Sequence, residues 1–274
     1  QGEGISEPIE QEPPEQYSTE LGNQGTIVIW DKIDSATTEK DLEDIKHEIG
    51  RIYRKFLTEK KIDDGKLVDN KPISLTLNGV PISPYDPMYV TYCPRIKDKE
   101  LAKLISTNEY AIKSGKIKGK MRITISHLPE SWWDDPAQYK PGMDPVNRDE
   151  RKLNAKNNGI SIVRAGREMA FGEIAFLKLL SAKSAEDGGS PFSAVDRFTG
   201  IEVSFNRDVD KIFGIEANKS KLFLPRYIRE EIGSILYPIL TTRRETFSKV
   251  RGKKAKTDQK KCEHCSFQND KSAE

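Results

Sequence analysis

The stretch DVDKIFGIEANKSKLFLP, Asp208 to Pro225, closes an apolar run with a short polar loop that presents Lys219 and Lys221. A lysine at a loop tip is a compact point charge on a flexible stem, suited to meeting a phosphate or a carboxylate. The same pattern also describes an ordinary solvated turn. Further on, Cys262 and Cys265 form a Cys-x-x-Cys with His264 between them. That is the spacing of two zinc ligands, whereas a structural zinc site uses four, so the pair reads as a zinc half-site at most. Nine basic residues lie between Arg243 and Lys261, set against Glu245 and Asp258. Arg243, Arg244, Lys249, Arg251, Lys253 and Lys254 head that run, which either meets the phosphates of a nucleic acid or is a solvated tail. Lys116, Lys118 and Lys120 in SGKIKGKMR form a second basic cluster. Trp132 and Trp133, beside Asp134 and Asp135, either pin a loop by aromatic burial or anchor a partner. The histidines, His47, His127 and His264, are scattered, so the sequence supports no arrangement of nucleophile, histidine and carboxylate. Neither a P-loop nor a dinucleotide fingerprint occurs.

These residues need elements to hold them. GTIVIW, from Gly25, reads as a short apolar strand. Thr38 with Asp41 is a helix-start signature, and Leu42, Ile45, Ile49, Ile52, Tyr53 and Phe56 recur at helical spacing, predicting a helix over 39–59. Gly50 inside it is expected to serve close packing. Four segments alternate with period two: Ile73/Leu75/Leu77, Met121/Ile123/Ile125, Ile160/Ile162 and Ile201/Val203/Phe205. Apolar on one face only, they imply a sheet covered by helices on one side and wet on the other. Asn78-Gly79 and Ala165-Gly166 are hairpin turns. A last helix is expected from Pro225, with Ile228, Ile232, Ile235, Leu236 and Ile239 as its stripe and a kink or end at Pro238. Two long loops, 131–151 and 181–197, separate these elements.

The expected class is α+β, a two-layer α/β sandwich over about 25–245, with a basic, disordered tail at 246–274. Residues 1–24, acidic and proline-bearing, read as a mobile lead-in or the edge of a preceding domain. With 35% hydrophobic and 32% charged residues, the chain is neither a membrane protein nor, at net +2, a wholesale polyanion binder. Three cysteines make no disulfide framework, so the expected location is the cytoplasm.

Read in order, several segments resemble the GHKL ATPases, the family of DNA gyrase B subunits, MutL, the ninety-kilodalton heat-shock chaperones and MORC proteins, and most closely the bacterial MORC-like ATP-binding proteins. GTIVIWDKID looks like the strand that closes the ATP-binding domain, with Gly25 and Thr26 as its Gly-Thr pair. HEIGRIYRKFL and ISLTLNGVPISPYDP look like the opening of the second, transducer domain; NNGISIVRAGREMAFG is similar to its central hairpin. DRFTGIEVSFNRDVDKIFGIEANKSKLF resembles the segment leading to its lysine loop.

The resemblance implies a βαβ unit with a left-handed crossover. It assigns γ-phosphate contact to Lys219, with Lys221 as the alternate. It also implies ATP and magnesium in a parent protein that closes as a homodimer. The family's catalytic glutamate, magnesium-binding asparagine, adenine-binding aspartate and glycine-rich lid find no match in residues 1–24. The chain is therefore expected to be a C-terminal piece of a longer ATPase, its transducer module, or a homologue stripped of its nucleotide site, and as it stands not to hydrolyse ATP. The competing readings are a nucleic-acid-binding module using the basic tail and a protein-interaction module without an ATP role.

Overall fold

A computed structural model describes residues 38–63, 66–91, 101–130, 133, 159–172, 193, 195–215 and 224–270, with side chains of the last segment described as far as Lys253. The chain divides into two compact units, Gln1–Leu42 and Glu43–Glu274. Of the first, the described part is the cap and opening turn of helix α1 (Glu39–Ile52).

The cap forms as its residues predict. The Asp41 backbone N–H donates to Thr38 Oγ1 at 3.2 Å, and the Thr38 N–H donates back to Asp41 Oδ2 at 2.9 Å. Gly50 is buried, and a Cβ there would lie 2.3 Å from the Ser83 carbonyl oxygen, so close packing explains this glycine. The single helix expected over 39–59 is interrupted at Tyr53 and resumes as one turn, α2 (Arg54–Leu57). Thr58 is extended, and the Asn70 amide donates to the carbonyls of Lys55 and Thr58, ending the helix there.

Two small hairpins follow, β1 (Lys60–Asp63) with β2 (Lys66–Asp69) and β3 (Thr76–Leu77) with β4 (Val80–Pro81). The strand expected through Ile73 reduces to β3, and Ile73 is left 55% exposed. The central sheet has five strands in the order β5 (Lys103–Ser114), β6 (Ile117–His127), β9 (Thr199–Phe205), β7 (Ile160–Arg164), β8 (Arg167–Gly172). All neighbours run antiparallel except β7 and β9, which are parallel. Most of the connection from β8 to β9 lies outside the described residues. The architecture is mixed α+β. Asn78-Gly79 and Ala165-Gly166 form the expected turns, each with two consecutive positive φ values (52° and 73°; 46° and 86°).

On one sheet face Met121, Ile123 and Ile125 line up with Ile160, Ile162, Ile201, Val203 and Phe205. Helix α3 (Arg226–Asp270) lays Ile228, Ile232, Leu236 and Leu240 into them, while Ile235 and Ile239 sit at the margin. Pro238 does not end this helix. It withdraws the N–H that would bond the Ser234 carbonyl, and both residues are exposed. The helix also crosses residue 246 without a break, so the basic segment lies on it as far as Asp270.

The opposite sheet face, expected to be wet, is covered at its centre. Thr124, Ser126, Ser161 and Glu202 are each 2% exposed or less. The segment around Met88 crosses β9 at Gly200, where a Cβ would lie 2.8 Å from the Met88 Cα, and Ser126 Oγ donates to the Met88 carbonyl at 2.7 Å. Polar side chains alternate here as on a wet face, but each buried one finds a partner, which is the condition for covering them.

Candidate functional site

Lys219 and Lys221 lie outside the described residues, as do Gly25 and Thr26. The two ends of the lysine loop are described. After β9 a 3₁₀ turn (Arg207–Val209) buries Val209, Ile212 and Phe213, and the Phe213 ring stacks on Phe205 at 3.7 Å between centroids. Asp210 accepts a two-pronged hydrogen bond from Arg164 of β7, one arm at 2.6 Å, which raises the affinity of that guanidinium for its proton. The Asp210 carbonyl also takes the N–H of Ile215 at 3.0 Å. The chain returns at Leu224, 6% exposed within the same core, two residues before α3. The described residues on either side of 216–223, Ile215 and Leu224, therefore belong to one packed core, and Leu224 stands just before the helix that packs on the sheet.

Beneath α2 lies a cluster of buried charges. Arg54, 3% exposed, donates Nη1 to Glu168 Oε2 at 2.7 Å, and Nη2 to Ser161 Oγ at 2.7 Å and to Glu202 Oε2 at 2.8 Å. Its Nε lies 3.7 Å from Asp86 Oδ1. Arg51 takes the other oxygen of Glu168, and Lys55 the other oxygen of Glu202. Burial opposes the charge on Glu202, but Lys55 and Arg54 outweigh it and hold the carboxyl below its usual range. Burial likewise opposes the Arg54 charge, and Glu168, Glu202 and Asp86 more than offset it. Three cations meet three carboxylates, so this is a satisfied joint between α2, β7, β8, β9 and the Asp86 loop.

Beside that joint runs a groove of about 760 Å³ whose floor is the polar face of β5, β6 and β9. Phe56, Lys55 and Lys61 form one side of it, and Glu109, Lys118, Lys120 and Arg122 line its floor. Phe56 remains 38% exposed, with its ring edge against the Ala165-Gly166 turn.

The first two arginines of the basic run, Arg243 and Arg244, are used internally. Arg244 forks onto Asp196, a wholly buried carboxylate, and Arg243 donates to the Leu128 carbonyl at 3.2 Å while lying 4.3 Å over the Trp133 ring. Trp133 also packs on Phe198 and on Phe247 of α3, while Trp132 lies outside the described residues. Burial, and then the Arg243 charge, push the His127 imidazole down to about 4. Lys249, Arg251 and Lys253 are exposed on α3; Lys254, Cys262 and Cys265 lie on its continuation, where no side chain is described. Among the described residues no group of three or more His, Cys, Asp or Glu side chains has the arrangement of a metal site, and no helix is long and apolar enough to cross a membrane.

No family model, curated protein or solved structure matches this chain. The site therefore rests on its own geometry. Sequence reasoning missed Arg54, Glu168 and Glu202, although a signal was present. Glu202 interrupts the apolar strand GIEVSF at its centre, and a carboxylate in such a place requires a buried cation. It also missed the lysine-faced groove, because Lys61 and Lys118 come together only through the fold.

Proposed function

We propose that this chain is the transducer module of a GHKL-type ATPase, coupling the nucleotide state of a preceding ATP-binding domain to closure of a homodimer, with Lys219 as the γ-phosphate contact. The observation that carries the reading is that the described residues flanking the lysine segment, Ile215 and Leu224, both pack in the core beneath α3. With both flanks seated in one core, a phosphate contact made by Lys219 would bear on α3 and the sheet. The two-layer sandwich with a βαβ crossover belongs to the same reading, and the parallel pairing of β7 with β9 supports it. ATP and magnesium belong to the parent protein. Bound ATP supplies the anionic γ-phosphate; this chain's part is to carry a lysine to it and to move α3 in response.

The test uses the longest natural form of the protein and its Lys219→Ala variant. Turnover is expected to fall on the order of 10²-fold while nucleotide still binds, the scale for deleting one preorganised electrostatic contact. Unchanged turnover, or a parent that never binds ATP, overturns the reading.

A further inference from the structure

The β5–β6 ribbon carries an arrangement that the transducer reading leaves unexplained. With Met121, Ile123 and Ile125 in the core, period two places Lys118, Lys120 and Arg122 together on the opposite face of β6. Directly across the ladder, Lys113 of β5 pairs with Lys118. Like charges facing each other across a strand pair are unfavourable, and this pair stands where the ribbon turns at Gly115 and Lys116. Glu109 offsets only part of the row, accepting from Lys120 at 2.6 Å and from Arg122 at 3.4 Å. Lys55 is spent on Glu202. That leaves Lys61, Lys113, Lys116 and Lys118 with no acidic partner among the described residues, against Asp63 and Asp208 at the groove. Beside these lysines stands the half-exposed ring of Phe56.

Lys113 and Lys118 face each other across the ladder, roughly 5 Å apart at Cβ, close enough to share one phosphate, while Lys61 stands at the other side of the groove. A cationic row beside an aromatic ring is the arrangement by which proteins hold single strands, the phosphates on the cations and a base on the ring. We propose that this groove and the ribbon face beyond it bind a single strand of nucleic acid, with phosphates on Lys61, Lys113 and Lys118 and a base against Phe56. The inference is independent of the transducer reading and uses none of its residues. It also moves the nucleic-acid surface away from Arg243 and Arg244, which the fold already employs.

The test is fluorescence anisotropy of a labelled oligodeoxythymidine titrated with the full chain, with salt varied around 0.1 M. The Lys61→Ala/Lys118→Ala variant removes two side chains that no described hydrogen bond requires, and circular dichroism checks its fold. It is expected to bind on the order of tenfold to 30-fold more weakly, with the slope of log K against log salt reduced by about 1.4. Lys249→Ala/Lys253→Ala, on α3, is expected to leave affinity within about twofold. Phe56→Leu, which keeps the apolar volume but removes the stacking face, is expected to weaken binding with no change in salt slope. Absence of binding by the unaltered chain overturns the proposal. So does equal affinity in the Lys61/Lys118 variant, or a loss confined to the α3 variant. Binding of inorganic triphosphate or a free nucleotide without binding of the oligonucleotide also overturns it.

Discussion

Replacing Arg54 with methionine keeps much of its aliphatic stem and deletes the charge at the centre of the buried joint. Three groups lose their donor: Glu168, Glu202 and Ser161. Removing one partner of a buried ion pair costs about 3–5 kcal/mol, chiefly because the remaining charge stays buried. Here Arg51 still reaches Glu168 and Lys55 still reaches Glu202, so each carboxylate keeps one cation and the lower end applies, about 3 kcal/mol. For a unit the size of Glu43–Glu274, that corresponds to a fall in Tm of about 6–12 °C.

Urea unfolding at several pH values supplies the decisive comparison. Glu202 is held below its usual range in the folded protein, so its contribution is fully present above the unfolded carboxylate pKa of about 4.3. That contribution is lost as pH falls through the lowered folded value. In Arg54→Met much of the lowering disappears, so the gap between the two proteins is expected to narrow as pH falls from 7 toward 3. A gap under about 1 kcal/mol at pH 7 would refute the argument that this joint holds α2 to the sheet. A full-sized gap that stays constant with pH would show that packing, not charge, carries it.

Other outcomes follow from single contacts. Gly50→Ala drives a methyl against the Ser83 carbonyl at 2.3 Å, and the expected loss of about 1–3 kcal/mol exceeds the roughly 1 kcal/mol that alanine adds to a helix. A rise in urea midpoint for that variant would contradict the packing. His127 is held neutral down to about 4, whereas an unfolded histidine takes up its proton near 6.5. The unfolded state therefore binds more protons between those values, and stability should decline as pH falls from 6.5 to 4. His127→Gln should flatten that part of the profile, measured by urea midpoints at pH 7 and pH 5.

The features readable from the sequence are those decided within a few residues. Thr38 and Asp41 cap α1 because their side chains reach each other's backbone across one turn. Asn78-Gly79 and Ala165-Gly166 turn their hairpins because these residues accept positive φ. The alternation of β6, β7 and β9 marks which side chains enter the core, and the stripe of α3 marks what meets them. Gly50 is a glycine because a backbone passes it closely, a reason legible in kind but not in partner.

Everything that depends on strand order was out of reach. Arg54 meets Ser161, Glu168 and Glu202, which lie 107, 114 and 148 residues along the chain. Only the order β9-β7-β8 and its register bring those side chains beneath one guanidinium. The same holds for Arg244, which the local sequence offers to a phosphate and the fold gives to Asp196. A charge run shows how much cation a segment carries. Which of those cations are already spent is decided by the buried carboxylates that folding sets against them, because an unpaired buried charge costs too much to keep.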